Sequence, residues 1–272
     1  MTTGFWSVML LPFIACLVLT GIHAYLGLHV IERGIIFVDL ALAQIAALGA
    51  GFSLLLHHEF QGPIAYWFSL GFTVIGAAVF SLTRFRRQKL PQEAVIGIVY
   101  AVSAALLVMV LSRSAEGDEH VRRSLVGNVL LVSHKDIMDM TVVYTAVGLF
   151  HFLFRRQFFL ISKSPEEAYA KGLRVPFWDF FFYVSFGIVV TSSVRIAGVL
   201  LVFSFLVVPA LCAMLFGGSL KQRLFLGWAV GGAASLLGMA VSYFFDFPTG
   251  ASVVCVFGGL LLVAALLRRA WR

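Results

Sequence analysis

Apolar stretches of about 20 residues recur from one end of this 272-residue chain to the other. Each stretch is long enough to cross a hydrocarbon layer of roughly 30 Å as a helix. Barrel strands would instead give short segments of alternating polarity. We therefore expect an all-α, polytopic integral membrane helix bundle with about nine transmembrane helices in a single domain over residues 1–272. The predicted spans are 5–28, 36–56, 63–83, 92–112, 136–154, 177–194, 196–216, 224–243 and 250–267.

Composition supports a membrane protein and argues against a nucleic-acid partner. Only 12% of the residues are charged, whereas a soluble domain carries roughly 25%. The net charge is +7, but the basic residues cluster in short loops, which indicates membrane topology rather than ligand binding. Cys16, Cys212 and Cys255 lie in apolar segments without CxxC spacing, so we expect small buried hydrophobes.

The distribution of basic residues predicts the orientation. With the N-terminus outside, fifteen of the 20 basic residues fall on the cytoplasmic side. The exception is segment 113–135, which places four basic residues outside. Its apolar run SLVGNVLLV is too short to span, so we expect a short re-entrant or interfacial helix there.

Several catalytic motifs are absent from the sequence. No lysine follows a glycine, so the chain has no GK[ST] phosphate loop and cannot itself be a P-loop ATPase. Neither an HExxH helix nor a GxSxG elbow is present. In a polytopic protein, these absences leave transport as the leading class of function.

Five stretches of the sequence carry a resemblance to a known family. They are GLHVIERGIIFVDLALAQIAALGAGF at 27–52, PQEAVIGIVYAVSAALLVMVLS at 91–112, VGNVLLVSHKD at 126–136, RIAGVLLVFSFLVVPALCA at 195–213 and DFPTGASVV at 246–254. Taken together, they resemble the permeases of bacterial ABC importers for zinc, manganese or iron, the ABC-3 family. The resemblance covers nearly the whole chain. It implies a multi-pass permease in the bacterial cytoplasmic (inner) membrane that carries a divalent metal ion as substrate and holds no permanent cofactor.

The resemblance also implies partners. These are cytoplasmic ABC ATPase subunits, an extracytoplasmic metal-binding protein and a second permease copy, so that the chain itself is not an enzyme. The loop that docks on the ATPase would run from about Pro209 to Arg223. Its members are Pro209, Gly217, Gly218, Ser219, Lys221, Gln222 and Arg223. Proline removes one intrahelical hydrogen bond and permits a kink before this short basic loop.

The second predicted helix departs from the family pattern, which resembles DxLxH. The position expected for histidine is Gln44, and the nearest acid is Asp39, five residues earlier. Five residues turn a helix about 140° beyond one full turn, so Asp39 and Gln44 do not share a face. An amide oxygen is a weaker ligand for zinc than imidazole. Three alternatives follow: a harder metal such as manganese or iron, ligands elsewhere, or a substrate other than a bare ion.

The candidate residues of the substrate path are Asp39, Gln44, Glu93 and His23, with Asp39 and Glu93 as the candidate metal ligands. Each has an ordinary alternative. Asp39 could favour a helix N-terminus, and Glu93, two residues after Pro91, could cap its own helix. Gln44 could make an interhelical hydrogen bond, and His23 could be a packing residue.

Three functions remain open from the residues. The leading one is the membrane subunit of a divalent-metal ABC importer. A second is a proton-coupled secondary transporter that uses Asp39 or Glu93, and such transporters often contain inverted repeats. A third is an intramembrane enzyme, which would need Asp39, Glu93 and His23 to converge.

Overall fold

The computed structural model describes residues 2–60, 62–84, 91–112 and 127–270. Across these ranges the chain is helical, with no strand, as the sequence predicts. The α-helices are α1 Thr2–Arg33, α2 Val38–Leu55, α3 Pro63–Leu82, α4 Gln92–Leu111, α5 His134–Leu153, α6 Arg155–Lys163, α7 Pro165–Ala170, α8 Val175–Ala197, α9 Val199–Leu215, α10 Leu220–Phe245 and α11 Thr249–Ala270.

Eight of these helices are long and apolar enough to cross a membrane. The ninth apolar segment, α9, is helical but has only 17 residues. Each of the nine predicted spans therefore lies on a helix of the described structure. The prediction of a multi-pass helical membrane protein is confirmed.

The polar stretch between the fifth and sixth predicted spans contains two short helices. It forms α6 and α7, separated only by Ser164. Phe158, Ile161 and Ala168 are buried, so the two short helices lay one apolar side against the protein. Lys163, Glu166 and Glu167, between Ile161 and Ala168, interrupt the apolar pattern in the sequence.

The outer segment 113–135 is described only from Gly127 onward. Its described part contains a single 3-10 turn, Val129–Leu131, before α5 begins. The Asn128 N–H donates to the Ile196 carbonyl over 3.1 Å. The run SLVGNVLLV at 124–132, on which the re-entrant or interfacial helix was predicted, forms only this 3-10 turn in its described part, 127–132. Residues 113–126 of the segment and residues 85–90 of the basic loop lie outside the described residues.

The chain separates into two compact units, which interleave along the sequence. The first contains residues 1–31, 125–144 and 196–272, and the second contains 32–124 and 145–195. The single permease domain over 1–272 stays a prediction.

Small residues allow close helix contacts in the first unit. A Cβ on Gly27 would overlap the Leu206 carbonyl oxygen, and Gly231 packs against Thr20. A Cβ on Gly238 would lie 2.5 Å from the Cα of Val253. Such approaches give helices contact area in lipid, where no hydrophobic force drives them together.

In the second unit, α2 packs against both α3 and α4. Gly49 lies against the backbone of α3, because a Cβ there would sit 2.6 Å from the Phe68 carbonyl oxygen. Gly76 of α3 leaves room for Ile45. These contacts pack the middle of α2 closely against α3.

Candidate functional site

Asp39 lies in the first turn of α2 and is only 2% exposed. A carboxylate at this position is favoured by the partial positive charge of the helix N-terminus. Its Oδ1 is nevertheless buried and has no hydrogen-bond partner within the described ranges. The alternative that Asp39 only favours the helix N-terminus therefore explains its position but not its unpartnered oxygen.

Glu93 lies in the first turn of α4. The sequence suggested that it could cap that helix, but its side chain makes no capping hydrogen bond there. Its Oε1 accepts a hydrogen bond of 3.0 Å from the N–H of Phe37, the residue that precedes α2. Its Oε2 is buried and, as far as the structure describes the chain, unpartnered. The structure therefore brings the two predicted metal ligands together at the start of α2, although their role stays a prediction.

A buried cluster of charges that sequence reasoning missed lies in the same unit. The Asp179 carboxylate of α8 is fully buried and accepts from two arginines through different oxygens. Arg33 Nη1 lies 2.6 Å from Oδ1, and Arg84 Nη1 lies 2.7 Å from Oδ2. Arg33 Nε also donates to Ser162 Oγ over 2.8 Å. We call Arg33, Asp179 and Arg84 the arginine–aspartate cluster.

Two short connections lead from this cluster to the Asp39–Glu93 pair. Arg33 ends α1, and four residues later Phe37 donates to Glu93. Arg84 follows the end of α3, and the carbonyl of Phe80 in the last turn of α3 accepts from the Gln92 side chain over 2.9 Å. Gln92 is the neighbour of Glu93.

Gln44 is half-buried in α2, and its neighbours Ala43 and Ala47 line a cleft of about 60 Å³. The Tyr66 hydroxyl in this cleft pairs with Ser192 Oγ over 3.1 Å. The guanidinium of Arg195 lies 5.2 Å from the centroid of the Tyr66 ring. The cleft is lined by alanines, hydroxyls and one cation, and Gln44 in the path stays a prediction.

His23 belongs to the first unit and is fully buried in α1. Its Nδ1 is 2.8 Å from the Leu19 carbonyl, and its ring packs edge-on against Tyr144. These contacts match the packing alternative. Within the described residues, no group of three or more His, Cys, Asp or Glu side chains is placed to hold a metal ion.

The predicted docking loop connects α9 and α10. Gly217 and Gly218 both have positive φ, of 73° and 88°, which glycine adopts without strain. Ser219 then starts α10 with a capping box: its N–H donates to Gln222 Oε1 over 2.8 Å, and its Oγ accepts from the Gln222 N–H. Lys221 is exposed and Arg223 is half-buried, while Pro209 lies buried inside α9.

Residues 6–268 match the model of the ABC 3 transport family. The chain belongs to this family. It is 28% identical over 210 residues to the manganese transport system membrane protein MntC of Listeria monocytogenes, covering 75% of this chain and 74% of that protein. It is 25% identical over 251 residues to the manganese import system permease protein ScaB of Streptococcus gordonii, covering 92% and 88%.

The fold also matches that of a solved structure. A chain of PsaBC from Streptococcus pneumoniae, determined in complex with a Fab, superposes with a TM-score of 0.79 at 23% identity and covers 97% of this chain and 95% of that one. ABC 3 proteins are transporter permeases and not catalytic enzymes, so the family prediction is confirmed and the intramembrane-enzyme alternative is wrong.

Proposed function

We propose that this chain is the permease subunit of an ABC importer that carries manganese or iron, powered by ATP hydrolysis on separate cytoplasmic subunits. Membership of the ABC 3 transport family supports a permease. Relatives named for manganese and iron transport support the metal. Glutamine replaces the histidine expected at position 44, and carboxylate oxygens suit manganese better than zinc.

The observation that carries the proposal is the Asp39–Glu93 pair. Each carboxylate has a buried oxygen without a partner in the described structure, and both carboxylates lie at the start of α2. Buried ionised groups are costly in a membrane unless they are paired. A divalent cation passing the start of α2 would satisfy both oxygens. The predicted topology places this site at the inner end of the path.

Movement of the ATPase subunits would be transmitted to the permease through the docking loop. A paired-glycine turn followed by a capped helix start gives a short, well-defined basic surface at 217–223, and a cavity of about 710 Å³ lies beside it. In the proposed assembly the ATPase subunits press on this loop. An extracytoplasmic metal-binding protein delivers the ion, and a second permease copy completes the pore.

Reconstitution tests the energy source. The permease alone, in liposomes with an imposed proton gradient, should accumulate no manganese. The permease with its ATPase subunits and binding protein should accumulate manganese only when ATP is supplied. Proton-driven accumulation by the permease alone would instead establish the secondary-transporter alternative.

Substitution of the carboxylates tests the site in the same assembly. Asp39→Asn and Glu93→Gln should each raise the manganese concentration for half-maximal uptake by more than about tenfold, because even the loss of a group that supports a metal ligand commonly costs 10–100-fold. Glu167→Gln is the matched control, because that carboxylate is exposed in the same unit. Parental manganese dependence in both site variants would remove Asp39 and Glu93 from the path.

Substitution in the loop tests coupling. Gly218→Val forces a branched side chain onto a φ of 88° next to Gln222, so the loop must change shape. We expect ATP hydrolysis to continue without uptake, with the protein still in the membrane. Unchanged uptake would rule out this loop as the docking element.

A further inference from the structure

The arginine–aspartate cluster buries three charged side chains together, which is unusual in a membrane protein. The Asp179 side chain is 0% exposed, that of Arg33 is 1% exposed and that of Arg84 is 12% exposed. The guanidinium of Arg33 also lies 3.8 Å from the centroid of the Phe182 ring. Burying ions is expensive and does not by itself make a protein more stable than apolar packing would. Such a cluster fixes the relative orientation of the groups that it joins, because a guanidinium donates its hydrogen bonds in fixed directions.

The first connection runs from the arginine–aspartate cluster to Glu93. Asp179 holds the guanidinium at the last residue of α1, and Gly34, with a φ of 65°, turns the chain immediately afterwards. This linker ends at Phe37, whose N–H is bound by Glu93. The position of Arg33 thus sets where Phe37 offers its donor.

The second connection reaches the same glutamate from the other side. Asp179 holds Arg84 just beyond the end of α3, and that end is tied to the start of α4 by the bond from Gln92 to the Phe80 carbonyl. One carboxylate on α8 therefore constrains both the helix that carries Asp39 and the helix that carries Glu93.

We propose that Asp179 is a positioning residue for the Asp39–Glu93 pair, acting through Arg33 and Arg84. This inference rests on the proposed function, in which that pair binds the metal during transport. The cluster does not touch the ion. It fixes the separation of the two carboxylates and thereby the affinity of the site for a divalent cation.

The test uses the complete assembly of permease, ATPase subunits and binding protein in liposomes, with manganese as the probe. Arg84→Met replaces the guanidinium of the more exposed arginine with a shorter, unbranched apolar side chain, and Arg84→Lys keeps the charge. We expect Arg84→Met to raise the manganese concentration for half-maximal uptake by about tenfold, as loss of supporting groups commonly does. Arg84→Lys should restore most of the parental value.

Asp179→Asn should have a larger effect of the same kind, but it leaves two arginines without their counterion and can fail to fold. Arg84→Met keeps the proposal testable in that case. Lys171→Met is the matched control, since it breaks an exposed ion pair with Glu167 in the same unit. It should leave the manganese dependence unchanged.

A second substitution separates positioning from a purely structural role. If Asp179 and Arg84 act through Glu93, then Arg84→Met should have no further effect on half-saturation in a Glu93→Gln background. A structural role would lower the amount of folded protein and the maximal rate without moving half-saturation in either background, and that result would overturn the proposal.

The two proposals fail in different ways. If Glu93→Gln shifts half-saturation and Arg84→Met does not, the positioning role is wrong and the metal site stands. If neither Asp39→Asn nor Glu93→Gln shifts it, the proposed site is wrong and the positioning role falls with it.

Discussion

Both units of this permease contain close glycine contacts between helices, and the second unit adds a cluster of buried charges. In the first, glycines such as Gly27 and Gly238 let backbones meet, and the contacts depend on shape. In the second, a fully buried aspartate and two arginines join helix ends through directed bonds. Shape contacts tolerate any neighbour of the right size, whereas an ion cluster demands particular groups at particular positions. The demanding chemistry lies in the unit that holds the candidate metal ligands.

The largest effect on stability should come from the ion cluster. Asp179→Ala leaves the buried guanidinium of Arg33 and most of that of Arg84 without a counterion. Removing one partner of a buried pair costs about 3–5 kcal/mol. Thermal unfolding of the purified protein in detergent measures this loss. A change below about 1 kcal/mol would show that water or lipid headgroups reach the cluster.

Shape contacts should give the next largest effect. Gly27→Ala places a methyl group against the Leu206 carbonyl, where backbone must move, and overpacking costs about 1–3 kcal/mol. Gly21→Ala is the control on the same helix, because a Cβ there meets nothing within 4 Å. The two variants are compared by thermal unfolding, and equal stability would mean that α1 can shift away from α9.

The helix cap after the docking loop should matter less. Ser219→Ala removes the hydroxyl that accepts the Gln222 N–H in the capping box, which costs about 1 kcal/mol in stability. Ser219→Thr retains the hydroxyl and should remain near the parental stability. Hydrogen exchange of the first turn of α10 measures the effect, and equal protection in both variants would show that another group holds this turn.

The smallest effect should come from the exposed ion pair of α7. The side chains of Lys171 and Glu167 are 60% and 52% exposed, and their N–O distance of 2.7 Å is similar to those in the buried cluster. Solvent screening should limit the loss in Lys171→Met to less than about 0.5 kcal/mol in thermal unfolding. A loss as large as that of Asp179→Ala would contradict the distinction between buried and exposed pairs.

The sequence predicted the helical spans because lipid thickness imposes a length on every apolar run. It did not predict α6 and α7, since Lys163, Glu166 and Glu167 interrupt the apolar pattern between the buried positions Ile161 and Ala168. The family resemblance was carried by local motifs and needed no knowledge of tertiary contacts.

The site was less predictable because its contacts are remote in sequence. Arg33 and Asp179 are 146 positions apart, and Arg84 and Asp179 are 95 apart, so no local pattern pairs them. An acid inside the predicted span 177–194 was the one available signal. Glu93 carried the signature of a cap for its own helix, and only the fold shows that it binds the N–H of Phe37 in front of another helix.

The short length of α9 has a consequence for the choice of host membrane. Its 17 residues extend about 25 Å, less than a typical hydrocarbon thickness of roughly 30 Å. In bilayers of longer acyl chains, the glycine turn at 217–218 would be drawn toward hydrocarbon that cannot hydrogen-bond its backbone. Short-chain lipids should therefore be the better environment for reconstituted transport.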